Sequence, residues 1–240
     1  MERNGRCHER AVKLGLPCVY YKLNEKEGTG QVLDHSGYAL HAKAVGGLAS
    51  APGLAGDAVA FAGETYVECP QSLRDMAFPH MEKGEVVSSI TLTLLAKLPA
   101  ELTAPPHTLY CTHAREQGCH YENGYLFFWH FYTGRKKVVL RVPVATLLGQ
   151  WVHTAWVLHD GTLYAYVNGV EHCSAQFAQI QPGNCGGPFL LGGEYNSEST
   201  ECGPKPSCRS PLQHFAVYPR KLSGAEIQRH MQAAGIKHST

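Results

Sequence analysis

The chain has 240 residues and an apolar content of 44%, enough to fill one sizeable core. Its 21 basic and 20 acidic side chains leave a formal charge of +1. Only Arg135-Lys136-Lys137 clusters, which excludes the concentrated basic footprint of a nucleic-acid binder. No apolar run is long enough to cross a bilayer as a helix, so no membrane insertion is expected.

Residues 1–17 read as a basic, weakly patterned arm ending at Pro17, ahead of a single domain over 18–240. The first ten residues hold two acidic groups and no apolar centre, which is not a secretory signal. Such a start fits a chain kept inside the cell or one cut from a longer precursor. From Cys18 to Leu23, Cys-Val-Tyr-Tyr-Lys-Leu has the composition of a first strand. Residues 24–58 are rich in Gly, Asp, His and Ala and predict a long loop with one strand at Ala39–Val45. Ala58-Val-Ala-Phe61 and Thr65-Tyr-Val-Glu68 flank Gly63 and suggest a hairpin. In Ser89–Lys97, Ile90, Leu92 and Leu94 alternate with Thr91 and Thr93, the period of a central strand.

Asn123-Gly124 precedes the apolar run Tyr125–Tyr132. Strand alternation sends Tyr125, Phe127, Trp129 and Phe131 to one face and Leu126, Phe128, His130 and Tyr132 to the other. One face covers the core, leaving the other as an aromatic shelf for a sugar ring or a protein, unless loops or the arm cover it. Gly134 and Val138–Val142 complete a second hairpin. Between Gln150 and Val170, Asp160-Gly161 and Asn168-Gly169 favour the positive φ of two-residue turns, so three antiparallel strands follow one another. Phe189–Gly192 and His214–Tyr218 supply two late strands on either side of a long loop over 194–211. Ser223-Gly-Ala-Glu226 has the capping-box form, and Ile227 and Met231 recur at helical spacing before Gly235. The architecture read from these elements is all-β: a two-sheet antiparallel β-sandwich with a short C-terminal helix.

Nine cysteines are many for a cytosolic chain, and an odd number cannot pair completely within one molecule. Local spacing offers Cys7 with Cys18, Cys111 with Cys119, Cys173 with Cys185, and Cys202 with Cys208, leaving Cys69. Spacing does not settle connectivity. No Asn-x-Ser/Thr acceptor is present. Cysteine and histidine neighbour one another at several points, yet no Cys-x₂₋₄-Cys knuckle exists to hold zinc.

Several stretches now line up. Tyr20-Tyr-Lys-Leu-Asn-Glu25 with Asp34-His-Ser-Gly37, Ala58-Val-Ala-Phe-Ala-Gly63 with Tyr66-Val67, and Ser89-Ile-Thr-Leu92 come first. Gly149-Gln-Trp-Val-His153 through Asn168-Gly169, and Phe215-Ala-Val-Tyr218 with Leu222-Ser223 and Glu226-Ile227, follow. In that order they resemble the laminin-G-like, concanavalin-A-like sandwich family over Val19 to Gln228. The resemblance implies a jelly-roll of two stacked antiparallel sheets that binds glycans or proteins, often with calcium. It places Asp34 at the family's Asp-x-Ser-Gly position, a weak calcium ligand. Asp34 and Ser36 of the early loop, with Glu194 and Asn196 of the late one, become candidate ligand contacts. Where the family often adds an acidic residue before the closing strand, this chain has the neutral Gln213, which weakens a cation site. The plain alternative for Asp34 is an Asx-turn that holds its loop.

Catalysis is not expected. Hydrolytic relatives carry a Glu-x-Asp-x-Glu strand that sets its carboxylates on one face, and only Glu25 and Glu27 share a parity here. No Gly-x-Ser-x-Gly elbow, phosphate loop, dinucleotide fingerprint or His-Glu-x-x-His occurs. The leading expectation is a lectin-like or protein-binding module without chemistry of its own. The alternative is an interaction subunit of a large intracellular assembly, and a polysaccharide-cleaving enzyme ranks third. Compartment stays open: cysteine content and resemblance point outside the cell, the absent signal and acceptors inside.

Overall fold

The computed structural model describes residues 14–61, 63–73, 80–82, 85–87, 89–103, 106–112, 117–132, 136–177, 188–195 and 204–236. The early strands are β1 (Val19–Tyr21), β2 (Gln31–Val32), β3 (Ala42–Val45), β4 (Ala49–Pro52), β5 (Asp57–Ala60) and β6 (Tyr66–Glu68). Next come β7 (His80–Glu82), β8 (Glu85–Val87), β9 (Ile90–Lys97), β10 (His107–Cys111), β11 (Gln117–Glu122), β12 (Tyr125–Tyr132) and β13 (Lys136–Pro143). The rest are β14 (Trp151–His159), β15 (Thr162–Val167), β16 (Val170–Gln176), β17 (Leu190–Leu191), β18 (Gly193–Tyr195), β19 (Pro204–Pro206) and β20 (Pro211–Tyr218). Helix α1 (Gly224–Ala233) closes the chain.

Among the described residues, two eight-stranded antiparallel sheets form the body. The first runs β16-β15-β14-β9-β20-β5-β4, with β1 also paired to β20; the second runs β13-β12-β11-β10-β17-β6-β3-β2. Turn chemistry sets the local joins. Asn123-Gly124, Asp160-Gly161 and Asn168-Gly169 all hold positive φ at both residues, the condition a right-twisted two-residue hairpin needs. They join β11 to β12 and build the meander β14–β15–β16, and β12 pairs with β13 as the expected second hairpin.

The two inner faces make one core. Ile90, Leu92, Leu94 and Ala96 of β9 and Trp156 and Leu158 of β14 face Tyr121, Leu126, Phe128 and Val142 of the second sheet. Tyr110, Phe189 and Phe215 form a ring cluster across the layers, with centroids 5.3 to 6.1 Å apart. Buried Trp156 donates its indole N–H to the carbonyl of Trp129 at 3.1 Å, so one hydrogen bond ties sheet to sheet.

On the outer face of the first sheet, Ala155, Val157 and Tyr166 pack with Leu222 and Ile227 into a smaller core under α1. The capping box forms as predicted: Ser223 Oγ accepts from the Glu226 backbone, and the Glu226 carboxylate accepts from the Ser223 backbone. Arg220 donates to Glu226 at 2.7 Å, and that hydrogen bond is the main force holding the Glu226 carboxyl down at about 2. Among the described residues no helix is long and apolar enough to cross a membrane.

Three expectations need correction. Residues 58–61 and 65–68 are not a hairpin: β5 lies in the first sheet and β6 in the second, so the chain crosses between layers around Gly63. The stretch 24–58 carries three strands, β2, β3 and β4, not one. Cys111 and Cys119 do not pair. Register sets Tyr110 opposite Cys119 and Cys111 opposite Gly118, so the two thiols lie on opposite faces of one sheet. Cys119 sits in the main core, while Cys111 Sγ donates to the Gly193 carbonyl at 3.3 Å. Cys7, Cys185 and Cys202, the proposed mates of Cys18, Cys173 and Cys208, lie outside the described residues. Cys18 and Cys208 are buried thiols, both pushed up to about 12 by burial, so neither is a thiolate near neutral pH.

Candidate functional site

Asp34 and Ser36 do come together. Asp34 is 9% exposed, and each carboxylate oxygen accepts two hydrogen bonds. Oδ1 takes the backbone N–H groups of Tyr20 at 3.0 Å and Ser36 at 2.9 Å. Oδ2 takes the Ser36 hydroxyl at 2.7 Å and the Leu40 N–H at 3.0 Å. Four donors occupy the lone-pair directions a carboxylate has. This is the Asx-turn reading, enlarged: one side chain pins the loop between β2 and β3 onto β1.

Calcium takes six to eight oxygen ligands, and the described candidates are engaged by protein donors. Asp34 is saturated. Gln213 is committed as well: its amide donates to the carbonyls of Ala55 and Asp57, and its oxygen accepts from Leu54 N–H, holding the β4–β5 turn. Glu194 is attached elsewhere, accepting from Thr108 of β10 at 3.3 Å. Asn196 lies outside the described residues. Among the described residues no three His, Cys, Asp or Glu side chains gather as a metal-binding group. Millimolar calcium is accordingly expected to leave the melting temperature where a chelator leaves it; a rise of several degrees would contradict this.

The outer face of the second sheet offers more. Alternation along β12 buries Leu126, Phe128 and His130 and turns Tyr125, Phe127 and Trp129 outward. Neighbouring strands extend that row. Register puts His120 of β11 on one side of Phe127 and Arg141 of β13 on the other. The His120 imidazole stacks on Phe127 at 4.7 Å and tilts toward Trp129 at 5.2 Å. The Arg141 guanidinium lies 4.1 Å from the centre of the Tyr125 ring, a cation–π contact. Val139, 42% exposed, continues the surface opposite Trp129.

Gly118 makes the shelf flat. It pairs with Trp129, and a Cβ there would fall 2.5 Å from both the indole Cζ2 and the Tyr110 carbonyl oxygen. Without that carbon the indole lies down on the sheet against Cys111, Leu190 and Tyr66, and Trp129 is only 8% exposed. Phe127 and Tyr125 stay half-buried. Alternation predicted the outward aromatics. It did not predict His120, Arg141 or Gly118, because cross-strand neighbours depend on register and not on local pattern.

Comparison with known proteins agrees with this geometry. The family described as concanavalin A-like lectin/glucanases superfamily matches residues 87–228, more than half the chain. No curated protein matches. Among solved structures, the binding domain of botulinum neurotoxin serotype D is similar at TM-score 0.66 and 12% identity, over 91% of this chain and 52% of that one. The binding domain of Paraclostridial Mosquitocidal Protein 1 is similar at TM-score 0.65 and 12% identity, over 89% and 51%. The binding domain of botulinum neurotoxin DC, in complex with rat synaptotagmin II, gives 0.65 and 11%, over 92% and 52%. At such identities the likeness is one of fold, and this chain spans about half the length of each of those chains. With two antiparallel eight-stranded sheets, a capped closing helix and a family match through the central meander, the chain belongs to the concanavalin A-like lectin/glucanases superfamily.

Proposed function

We propose that this chain is a non-catalytic recognition module that docks a protein partner on the aromatic shelf of its second sheet. The observation that carries the reading is the composition of that face: Tyr125, Phe127, Trp129, His120 and Arg141 lie together on three adjacent strands. Tyr and Arg are among the residues that dominate protein-interface energetics, and a flat sheet face floored by Trp129 presents Tyr125 and Arg141 with little rotamer entropy left to lose. The similar solved structures are binding domains, one of them in complex with a protein, and this supports a binding role. A sugar partner is the second reading, since the half-buried Phe127 ring could stack on a pyranose face.

Protein and glycan arrays probed with the intact chain separate the two. Phe127→Ala and Arg141→Glu are expected to weaken protein hits about tenfold or more while shifting the melting temperature only a few degrees. Hits confined to glycan spots would transfer the shelf to the second reading. Undiminished binding by both variants would remove the shelf from either.

A further inference from the structure

A cleft of about 200 Å³ opens on the other side of the molecule, between the outer face of the first sheet and the end of α1. Its residues come from distant parts of the chain: Tyr20 of β1, His153 of β14, His214 and Tyr218 of β20, and His230 of α1. Leu95, Ala216 and Ala233 complete it with apolar surface. The volume is smaller than that of sites for drug-sized molecules, which run from about 300 Å³ upward.

His153 is 3% exposed, lines this cleft, and has a buried Nδ1 with no hydrogen-bond partner. Buried polar nitrogens are nearly always satisfied, so an unpaired one on a residue that lines a cavity singles that residue out. The other two imidazoles are held in place. His214 adopts φ 53, the left-handed region, at the irregularity in the β20–β9 register between Gln213 and Ala216. Its backbone N–H bonds the Lys22 carbonyl at 3.0 Å, its Nδ1 lies 2.6 Å from the Tyr20 hydroxyl, and the two rings stack. A bulge of this kind re-aims a side chain, and strain held by surrounding bonds is a common mark of a functional position. His230 stacks on Tyr218 at 5.3 Å.

We propose that the cleft binds a small organic anion, a carboxylate or a phosphate ester, held by N–H and O–H groups of the three histidines and two tyrosines. None of the lining residues is acidic. The charged groups that act on it are Lys22 beside His214, and Arg220, Glu226 and Arg229 around His230. Glu226 is already engaged by Arg220, which leaves Lys22 and Arg229 as a net positive surround. Burial lowers all three imidazoles, and Lys22 depresses His214 further; for His230, Glu226 acts against Arg220 and Arg229. His153, held at about 3, stays neutral, while His214 and His230 are lowered less far and are the groups whose protonation an anion would favour. An incoming anion favours the protonated ring, so binding draws in a proton and strengthens as pH falls. The site lies on the opposite sheet from the aromatic shelf, and its success or failure is independent of the shelf.

Ring signals of the histidines, followed by NMR on the intact chain, test this with three probes: butyrate, methyl phosphate and the neutral butyramide. Butyrate or methyl phosphate should shift the His153 and His230 rings saturably, with affinity rising by up to about tenfold per pH unit as pH falls below the ordinary imidazole range, from which both His214 and His230 are lowered. Ala233→Trp, an exposed helix position at the mouth, should abolish those shifts without a core penalty. His214→Gln combined with His230→Gln should flatten the pH dependence. Shifts from butyramide as large as those from butyrate, shifts that survive Ala233→Trp, or no response to either anion would each overturn the proposal.

Discussion

Replacing Trp156 with alanine is expected to cost about 3–5 kcal/mol of stability, a third or more of what a domain of ordinary stability possesses. The indole is fully buried at the centre of β14, between Ala165 of β15 and Leu92 of β9. Its removal leaves a cavity that rigid sheets on both sides are slow to fill. It also removes the donor to the Trp129 carbonyl, the hydrogen bond that joins the layers. Trp156→Phe divides the two losses, because it keeps most of the ring and drops the N–H, at about 1–3 kcal/mol. Chemical denaturation of both variants checks the ordering. A Trp156→Ala protein within about 1 kcal/mol of the parent would mean that the two sheets do not share one core.

The second large effect is expected from Gly118→Ala. A methyl group there meets Trp129 on one side and the Tyr110 backbone on the other. The indole alone could swing away; the carbonyl cannot move without disturbing the β10–β11 ladder. Overpacking of this kind typically costs about 1–3 kcal/mol. The distinctive consequence is local. Trp129 should rise from the sheet, its fluorescence emission should move to the red, and partner binding should fall with it. Phe127→Ala at the same face should affect binding and spare stability. Should Gly118→Ala leave both the emission and the melting temperature unchanged, the glycine is not what flattens the shelf.

The legible parts of the molecule are those decided within a few residues. Positive-φ dipeptides at 123–124, 160–161 and 168–169 need no distant help to reverse the chain, and all three do so. The Ser223–Glu226 box is equally local. Alternation along β9 and β12 announces which side chains share a face, and burial of Leu92, Leu94, Leu126 and Phe128 follows it. An isolated apolar pair around a glycine carries no such guarantee. Residues 58–61 and 65–68 have the look of a hairpin, yet each is paired on both sides by other strands, β5 by β4 and β20 and β6 by β3 and β17, because interior positions in two separate sheets bury their faces better than a short two-stranded ribbon would.

Site residues divide along the same line. Asp34 was recognisable from its motif, but its role rests on donors at Tyr20 and Leu40, which only the packing of β1 against the loop supplies. Cys111 and Cys119 look like a pair by spacing, and a single step of register sends them to opposite faces. The aromatic row of β12 is written in one segment, whereas His120, Arg141 and Gly118 join it through cross-strand register. The histidine cleft is the extreme case, with walls from positions 20, 153, 214 and 230. Local pattern therefore determined the long strands, the two-residue turns and the helix cap, and the order of the motifs carried the family resemblance. Tertiary structure alone decided which strands pair, which faces meet water and which distant imidazoles converge, because those outcomes depend on minimising exposed apolar area over the whole chain.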